Sequence, residues 1–258
     1  MLDNKTISLI IPCKNEAKGL ALLLKKIPSY VDEVVVVDNG SLDNTVKVAK
    51  KFGAKVVIEK RQYKQIGYGF ARQAGIKKAT GDYLVTLDGD GTYPINSIKT
   101  LVDYAKKHRL DFVVGNRYPL TNPRVVSLFR RLGTLILNLE ASILYLYPIK
   151  DILSGMWLVT KQAAKQLNLR CGGWNLSPEI KLAALKHPEI NFGQYHVNHF
   201  YRKHEHSKQK IFATGIDHFW YILSRRFTID NPLYRLKPDF QLLPEFLKSL
   251  LLYWLLKR

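Results

Sequence analysis

Four polar clusters in this sequence contain the residue types that bind phosphates and divalent ions. Each cluster directly follows a short run rich in β-branched residues, which predicts a strand. The clusters are PCKNE from Pro12, DNGS from Asp38, DGDG from Asp88 and NR from Asn116. Because the carboxyl ends of parallel strands meet at one edge of a sheet, we expect all four to share one crevice. Turns also favour these residue types, so the four clusters together carry the argument.

The sharpest of these clusters is Asp88-Gly89-Asp90, which follows the apolar run YLVTL. Two carboxylates separated by one glycine can turn toward the same ion. Hard oxygen ligands suit Mg²⁺ or Mn²⁺, especially when the ion also bridges a diphosphate. A plain turn would use the same residues, and the second acidic strand end at Asp38 favours the metal site over it. The sequence therefore predicts Asp88 and Asp90 as metal ligands.

Basic residues outnumber acidic ones by a wide margin. The 258 residues include 40 Lys and Arg against 21 Asp and Glu, a formal net charge of +19. Such an excess attracts nucleic acid, an anionic membrane surface or phosphorylated substrates. Arg117, Arg202, Lys203 and Lys208 are candidate phosphate-binding residues, although the run YRKHEHSKQK that holds the last three is also typical of a solvated surface.

The first 120 residues alternate between strand and helix periodicity, which predicts an α/β fold with a mainly parallel central sheet and helices on both faces. The predicted strands are 7–11, 33–37, 55–59, 83–87 and 112–115, and the predicted helices are 16–27, 43–52, 65–79 and 95–108. The later chain predicts a long helix over 124–147, a strand over 156–160, and helices over 178–186, 208–226 and 245–257.

These elements suggest one domain with an appendage. Residues 1–226 form the domain, in which 1–120 bind a nucleotide and 121–226 complete the site. Residues 227–258 form a helical appendage. We find no signal peptide and no run long enough to span a membrane. The terminal EFLKSLLLYWLLKR predicts an amphipathic helix that either lies in a membrane interface or packs on the core or a partner chain.

In this order, IIPCKNE, VVVVDNGSLDNT, GYGFARQAGIKKATGDYLVTLDGDGTYP and GNRY resemble the inverting family 2 glycosyltransferases. The later DILSGMWLV, NLSPEI and YRKHEHSK are similar more specifically to the dolichyl-phosphate or polyprenyl-phosphate hexosyltransferases, such as the dolichol-phosphate mannosyltransferases. The resemblance covers about residues 6–210. It implies a GT-A fold, a nucleotide-diphosphate sugar donor, and Mg²⁺ or Mn²⁺ as cofactor.

The resemblance also assigns residues to roles. Donor binding falls to Pro12, Asn15, Glu16, Asp38, Asp88 and Lys208, with Asp38 at the nucleoside. Catalysis falls to Asp90, Arg117 and Arg202, and the acceptor phosphate to Arg131 and Arg202. Asn39 stands where a second aspartate is frequent, and Thr92 stands where a further metal-side ligand often occurs.

The reaction implied is transfer of a hexose from GDP-mannose or UDP-glucose to a polyprenyl phosphate, with inversion, at an anionic membrane surface. We expect a peripheral protein on the cytoplasmic face of the membrane, with a membrane protein as a possible partner. The alternative is a family 2 enzyme that acts on a sugar or protein acceptor. Such an enzyme would need a third acidic motif as general base, and none is found.

Three other classes fit less well. A nucleic-acid-binding protein is suggested by charge alone, without a recognised motif, so nucleic acid is not an expected partner. A sugar nucleotidyltransferase would need a glycine-rich loop near residues 11–20. A dinucleotide-binding dehydrogenase is excluded because Gly67-Tyr68-Gly69 is followed by Arg72 where the third glycine belongs.

Overall fold

The structure is a computed structural model that describes residues 5–202 and 209–227. Seven strands form one sheet: β1 (Ile7–Cys13), β2 (Glu33–Asp38), β3 (Lys55–Ile58), β4 (Tyr83–Thr86), β5 (Phe112–Asn116), β6 (Trp157–Thr160) and β7 (Phe192–His196). The helices are α1 (Ala17–Leu24), α2 (Thr45–Lys51), α3 (Tyr68–Lys78), α4 (Ser97–His108), α5 (Leu128–Tyr145), α6 (Lys161–Gln166), α7 (Leu176–Lys186) and α8 (Ile211–Phe227).

The strand order is β3-β2-β1-β4-β6-β5-β7. Every pairing is parallel except those of β6, which runs antiparallel to both β4 and β5. The antiparallel direction matters for the site. The residues just before β6 reach the same edge as the carboxyl ends of β4 and β5, because β6 starts where its neighbours end.

Alternating side chains of the strands build two apolar layers. Ile7, Leu9 and Ile11 of β1 pack with α1, α2 and α4 on one face. Ile10 of β1 packs with α3, α6 and α7 on the other face. A third cluster joins α5, α7 and α8 through Leu137, Leu182 and Ile222 among others. The predicted α/β fold with helices on both faces of a mainly parallel sheet is thus confirmed.

Differences from the predicted elements lie in the second half. The long helix begins at Leu128, because Pro123–Val125 form a separate 3₁₀ turn. The sequence analysis missed β7, a five-residue edge strand with the polar pattern FGQYH, and the six-residue α6. The predicted helix 245–257 and, apart from Phe227, the appendage 227–258 lie outside the described residues. Within the part that is described, no helix is long and apolar enough to cross a membrane.

Candidate active site

A cleft of about 1450 Å³ opens at the carboxyl edge of the sheet. Most of the residues predicted from the sequence line it: Pro12, Asn15, Glu16, Asp88, Asp90, Arg117 and Arg202. They come from the ends of β1, β4 and β5 and from the segment after β7. The structure therefore brings the ends of separate strands together at one crevice, as expected. Asn39 is the residue that lines it from the end of β2.

Asp88 sits above a buried arginine. Arg72 of α3 is 1% exposed and donates from Nη2 to Asp88 Oδ1 at 2.6 Å and from Nη1 to the Thr86 hydroxyl. The guanidinium also stacks between the rings of Tyr68 and Trp157, at 4.6 and 5.6 Å from their centroids. Burial raises the pKa of Asp88, and Arg72 opposes that rise. Arg72 therefore orients this carboxylate and balances its charge.

Both carboxylate oxygens of Asp90 have a partner. Its Oδ1 accepts hydrogen bonds from the Thr92 amide at 3.0 Å and the Thr92 hydroxyl at 2.7 Å. Its Oδ2 contacts the guanidinium of Arg202, which follows β7. Thr92, which stands where a further metal-side ligand often occurs in the family that the sequence resembles, thus orients Asp90. The contact with Arg202 joins Asp90 to the segment that follows the last strand of the sheet.

Two glycines allow the carboxylates to sit this close to the backbone. A Cβ at Gly89 would lie 2.7 Å from both Cys13 Sγ and Glu16 Oε2. A Cβ at Gly155, just before β6, would lie 2.4 Å from Asp88 Oδ2. Since real Cβ atoms do not approach other atoms so closely, both positions exclude a side chain without displacement of the site.

Arg117 is fixed by a buried partner that the sequence analysis did not identify. Asp151 is fully buried and accepts from Arg117 Nε at 2.7 Å and Nη2 at 2.9 Å, a bidentate pair. It also accepts from the Arg117 amide at 3.0 Å. Although burial opposes ionisation, Arg117 holds the pKa of Asp151 below its ordinary value. Asp151 therefore fixes the orientation of the Arg117 guanidinium, a cation that lines the cleft.

A third arginine lines the cleft. Arg130 of α5 faces it, whereas Arg131, the residue predicted for the acceptor phosphate, lies one position further along the helix and is not among the lining residues. Burial, together with nearby Arg202 and Arg117, lowers the pKa of Arg130. Lys208, the remaining predicted basic residue, lies outside the described residues. Three arginines, 117, 130 and 202, therefore surround one part of the cleft.

Asp38 is buried rather than exposed to the cleft. Its carboxylate accepts from the backbone amides of Gly40 and Ser41 at 3.2 and 3.3 Å. Ser41 Oγ in turn accepts from the amide of Asn15 at 2.8 Å. Neighbouring Asn39 lines the cleft and donates to the carbonyl of Glu59 at 2.6 Å. Asp38 thus stabilises the turn after β2, which contacts Asn15 and places Asn39 at the cleft.

Replacing Asp38 with asparagine is expected to raise the KM for the nucleotide-sugar donor about three- to tenfold and to change kcat less. The charge that holds the turn amides is lost, and Asn15 and Asn39 shift with the turn. Steady-state kinetics at varied donor concentration measures this. A fall in kcat at unchanged donor KM would place Asp38 elsewhere in the mechanism.

The family follows from comparison with known proteins. The Glycosyl transferase family 2 pattern matches residues 8–167, more than half of the chain. An uncharacterized glycosyltransferase of Mycobacterium bovis is 32% identical over 183 residues, covering 69% of this chain and 79% of the relative. The chain belongs to glycosyl transferase family 2.

Two further proteins are similar over longer stretches of the chain. UDP-N-acetylglucosamine–dolichyl-phosphate N-acetylglucosaminyltransferase of Methanococcus voltae is 27% identical over 246 residues, 86% of this chain and 96% of that protein. Glucosyl-3-phosphoglycerate synthase from Mycobacterium tuberculosis, solved with Mn²⁺, UDP and phosphoglyceric acid, has a TM-score of 0.67 at 20% identity over 88% of this chain and 80% of its own. These likenesses establish the GT-A fold.

The residues of this family 2 chain fit a divalent ion that is shared with a substrate. Asp88 and Asp90 both line the cleft and offer hard oxygen donors. No cluster of three or more His, Cys, Asp or Glu side chains suited to a metal occurs among residues 5–202 and 209–227. Two carboxylates suffice where phosphate oxygens and water complete the coordination, as Mg²⁺ prefers. Asp88 and Asp90 are therefore the residues that would hold the ion.

Proposed function

We propose that this family 2 enzyme transfers a hexose from a nucleotide-diphosphate sugar to the phosphate of a polyprenyl lipid of the dolichyl type, with inversion. The observation that carries the proposal is the composition of the cleft. One part holds the two aspartates and the arginines, and the continuous other part is walled by apolar side chains. An acceptor with an anionic head and a hydrocarbon tail matches both parts.

The apolar part lies between α5 and α8. Phe129, Leu132 and Ile136 of α5 face Phe212 and Ile216 of α8 across it. The Phe129 and Phe212 rings are 6.2 Å apart between centroids. These side chains are 49–74% exposed, a large apolar surface for a cleft wall. A prenyl chain placed there would remove about 25 cal/mol of unfavourable free energy for each Å² taken from water.

The three arginines of the cleft would bind and orient the acceptor phosphate. A phosphate monoester is already an anionic nucleophile near neutral pH, so the cleft needs no general base. Arg117, Arg130 and Arg202 orient its oxygens and neutralise the charge where nucleophile and leaving diphosphate meet. A bound Mg²⁺ or Mn²⁺ would add Lewis-acid stabilisation of the leaving diphosphate. Attack opposite the diphosphate inverts the anomeric carbon.

The resemblance and the similar proteins together suggest which donors to test. GDP-mannose and UDP-glucose are the donors that the resemblance implies. Two relatives favour uridine diphosphate sugars, because the Methanococcus voltae enzyme is named for UDP-N-acetylglucosamine and the Mycobacterium tuberculosis synthase was solved with UDP. UDP-glucose is therefore the first donor to test, with UDP-N-acetylglucosamine and GDP-mannose beside it.

We propose that the reaction takes place at the cytoplasmic face of a membrane, where the protein is peripheral and can also meet a membrane protein. A second row of α5 side chains supports this. Leu135, Leu139 and Ile143 are 49, 62 and 63% exposed and lie outside the cleft. The net charge of +19 favours anionic lipid. The terminal segment predicted to lie in the interface is outside the described residues.

Replacing both Leu139 and Ile143 with glutamate is expected to weaken binding to phosphatidylglycerol vesicles about tenfold, because charge enters the lipid-facing side of α5. Transfer to a short, water-soluble prenyl phosphate should remain. Co-sedimentation with vesicles, beside the soluble assay, measures both. Leu42→Glu is the matched control, since Leu42 is 96% exposed on the loop after β2. Equal loss in the control would contradict the α5 surface.

The proposed function is tested by incubating the purified protein with each donor, a polyprenyl phosphate and Mg²⁺ or Mn²⁺, and measuring release of the nucleoside diphosphate. Parallel reactions contain phosphoglycerate, a free sugar or a peptide as acceptor. We expect release that depends on polyprenyl phosphate and a product in which the sugar is joined to the lipid phosphate. Release that depends only on phosphoglycerate, sugar or peptide would overturn the lipid acceptor.

A further inference from the structure

A lysine lies buried in the protein beneath the cleft. Lys181 of α7 is 1% exposed, and its Nζ donates to the carbonyl oxygens of Ile152 at 2.9 Å and Ser154 at 2.8 Å. It also donates to the carbonyl of Ser177, one turn earlier on the same helix, at 2.9 Å. Lys181 does not line the cleft, so it cannot touch a substrate there. Burying an amine is unfavourable unless its hydrogen bonds are made, and here the helix and the loop make them.

The loop that Lys181 binds, residues 151–155, touches both charged parts of the site. At its start, Asp151 forms the bidentate pair with Arg117. At its end, the backbone of Gly155 is so close to the Asp88 carboxylate that a Cβ would lie 2.4 Å from Oδ2. The two carbonyls that accept from Lys181 lie between these residues. The loop therefore sets the spacing between Arg117 and Asp88.

We propose that Lys181 is a positioning residue for sugar transfer, acting through the 151–155 loop to fix Arg117 relative to the metal carboxylate Asp88. The inference rests on the proposed roles of Arg117 and Asp88 in the reaction. The role does not require a particular charge, because both the ammonium and the neutral amine can donate to the Ile152 and Ser154 carbonyls.

The other short hydrogen bonds described for the loop use different atoms from those that Lys181 contacts. The Ser154 hydroxyl, for example, donates to the Gly115 carbonyl of β5 at 2.5 Å. Asn138 and Tyr93 accept from the amides of Ile152 and Gly155 at 2.9 and 2.7 Å, and so do not bind the carbonyls of Ile152 and Ser154. The Ser177 hydroxyl is 3.5 and 3.4 Å from the Ile152 and Ser154 carbonyl oxygens. These distances are long for a hydrogen bond between hydroxyl and carbonyl. Without the Lys181 amine, the loop loses its shortest links to α7.

The first test compares Lys181→Met with Lys186→Met. Lys186 lies on the same helix, but its Nζ is placed over the Tyr145 ring at 4.0 Å, away from the loop. We expect Lys181→Met to lower kcat about 10- to 100-fold at nearly unchanged donor KM, because small displacements of charged groups have effects of this size. Lys186→Met should stay within about twofold of the wild-type kcat. Equal losses in the two variants would overturn the proposal.

A double-mutant cycle then asks whether Lys181 acts through Arg117. In an Arg117→Ala background, Lys181→Met should lower kcat by less than about threefold, because the spacing it maintains no longer exists. Retention of the full single-variant factor would show that Lys181 acts independently of Arg117 and would overturn the proposal. Lys181→Gln, whose amide nitrogen is one bond short of Nζ, should lose about three- to tenfold. A wild-type kcat in that variant contradicts the proposal, even if the methionine variant does not fold.

Amide hydrogen exchange tests the loop without any reaction. The Ile152 and Gly155 amides should exchange faster in Lys181→Met than in Lys186→Met, and unchanged protection would overturn the role of Lys181. The two failures are distinguishable. A wild-type protein that transfers no sugar to polyprenyl phosphate would overturn the proposed function, while the exchange comparison would still decide whether Lys181 holds the loop.

Discussion

Asp90→Ala is expected to lower the rate of sugar transfer at least about a thousandfold, while the protein remains folded. Asp90 contributes one of the two carboxylates that would hold the metal, and its Oδ2 is also the contact of Arg202. The change therefore removes a proposed metal ligand and also the contact of Asp90 with Arg202. Asp88→Ala should be severe but smaller in effect, since Asp90 and its contact with Arg202 remain.

The measurement is nucleoside diphosphate release at saturating donor and metal, with thermal unfolding to verify the fold. Asp103→Ala is the matched control, because Asp103 on α4 is exposed and pairs only with Lys99 one turn away among the contacts described. It should retain wild-type activity. An Asp90 variant with near wild-type turnover in the presence of Mg²⁺ or Mn²⁺ would refute the metal site.

Arg202→Ala is expected to lower kcat about a hundredfold or more, the size of losing one preorganised donor to a developing charge. Arg202 reaches Asp90 from the far side of the cleft and lines the part shared by Arg117 and Arg130. Arg202→Lys should restore only part of the rate, because an ammonium cannot present the planar fork of a guanidinium to two phosphate oxygens.

Turnover with a water-soluble prenyl phosphate and vesicle co-sedimentation are measured for both Arg202 variants. Lys210→Ala is the control, as Lys210 is an exposed basic residue just before α8 and outside the cleft. If Arg202→Ala loses vesicle binding but keeps its turnover, this segment is a membrane-binding surface and not a phosphate site.

The first half of the fold was predictable because its signals are local. Buried parallel strands such as VVVV before Asp38 are continuous apolar runs, and polar clusters mark their carboxyl ends. The strands of the second half pair with β5, which is distant in the chain, so local sequence patterns do not predict this pairing. FGQYH has too few apolar residues to predict a strand, and it becomes one because β5 leaves an edge to be paired.

The carboxylates and Arg117 were found from their place after strands, whereas Arg202 was found from a run of basic residues and from the family resemblance. Arg72, Asp151 and Lys181 were missed because each acts from within an element or loop whose approach to the site is tertiary. Arg72 was interpreted only as a residue that breaks a glycine pattern. A signal for it did exist: an arginine amid the small residues of GYGFARQAG, on a helix facing a buried sheet, must find an anion.

β7 is the last described strand, both in the sheet and along the chain. This position affects the order in which the cleft is assembled during folding. Asp90 and Arg202 are 112 residues apart in the chain, and they meet only after β7 has paired with β5. Pairings between such distant segments carry a large loop-closure entropy and form slowly. During synthesis, the ends of β1, β2 and β4 can therefore be in place before Arg202 reaches the cleft. Among the described residues, Arg202 is the last Asp, Glu, Lys or Arg to join the cleft, because it follows the strand that comes last in the chain.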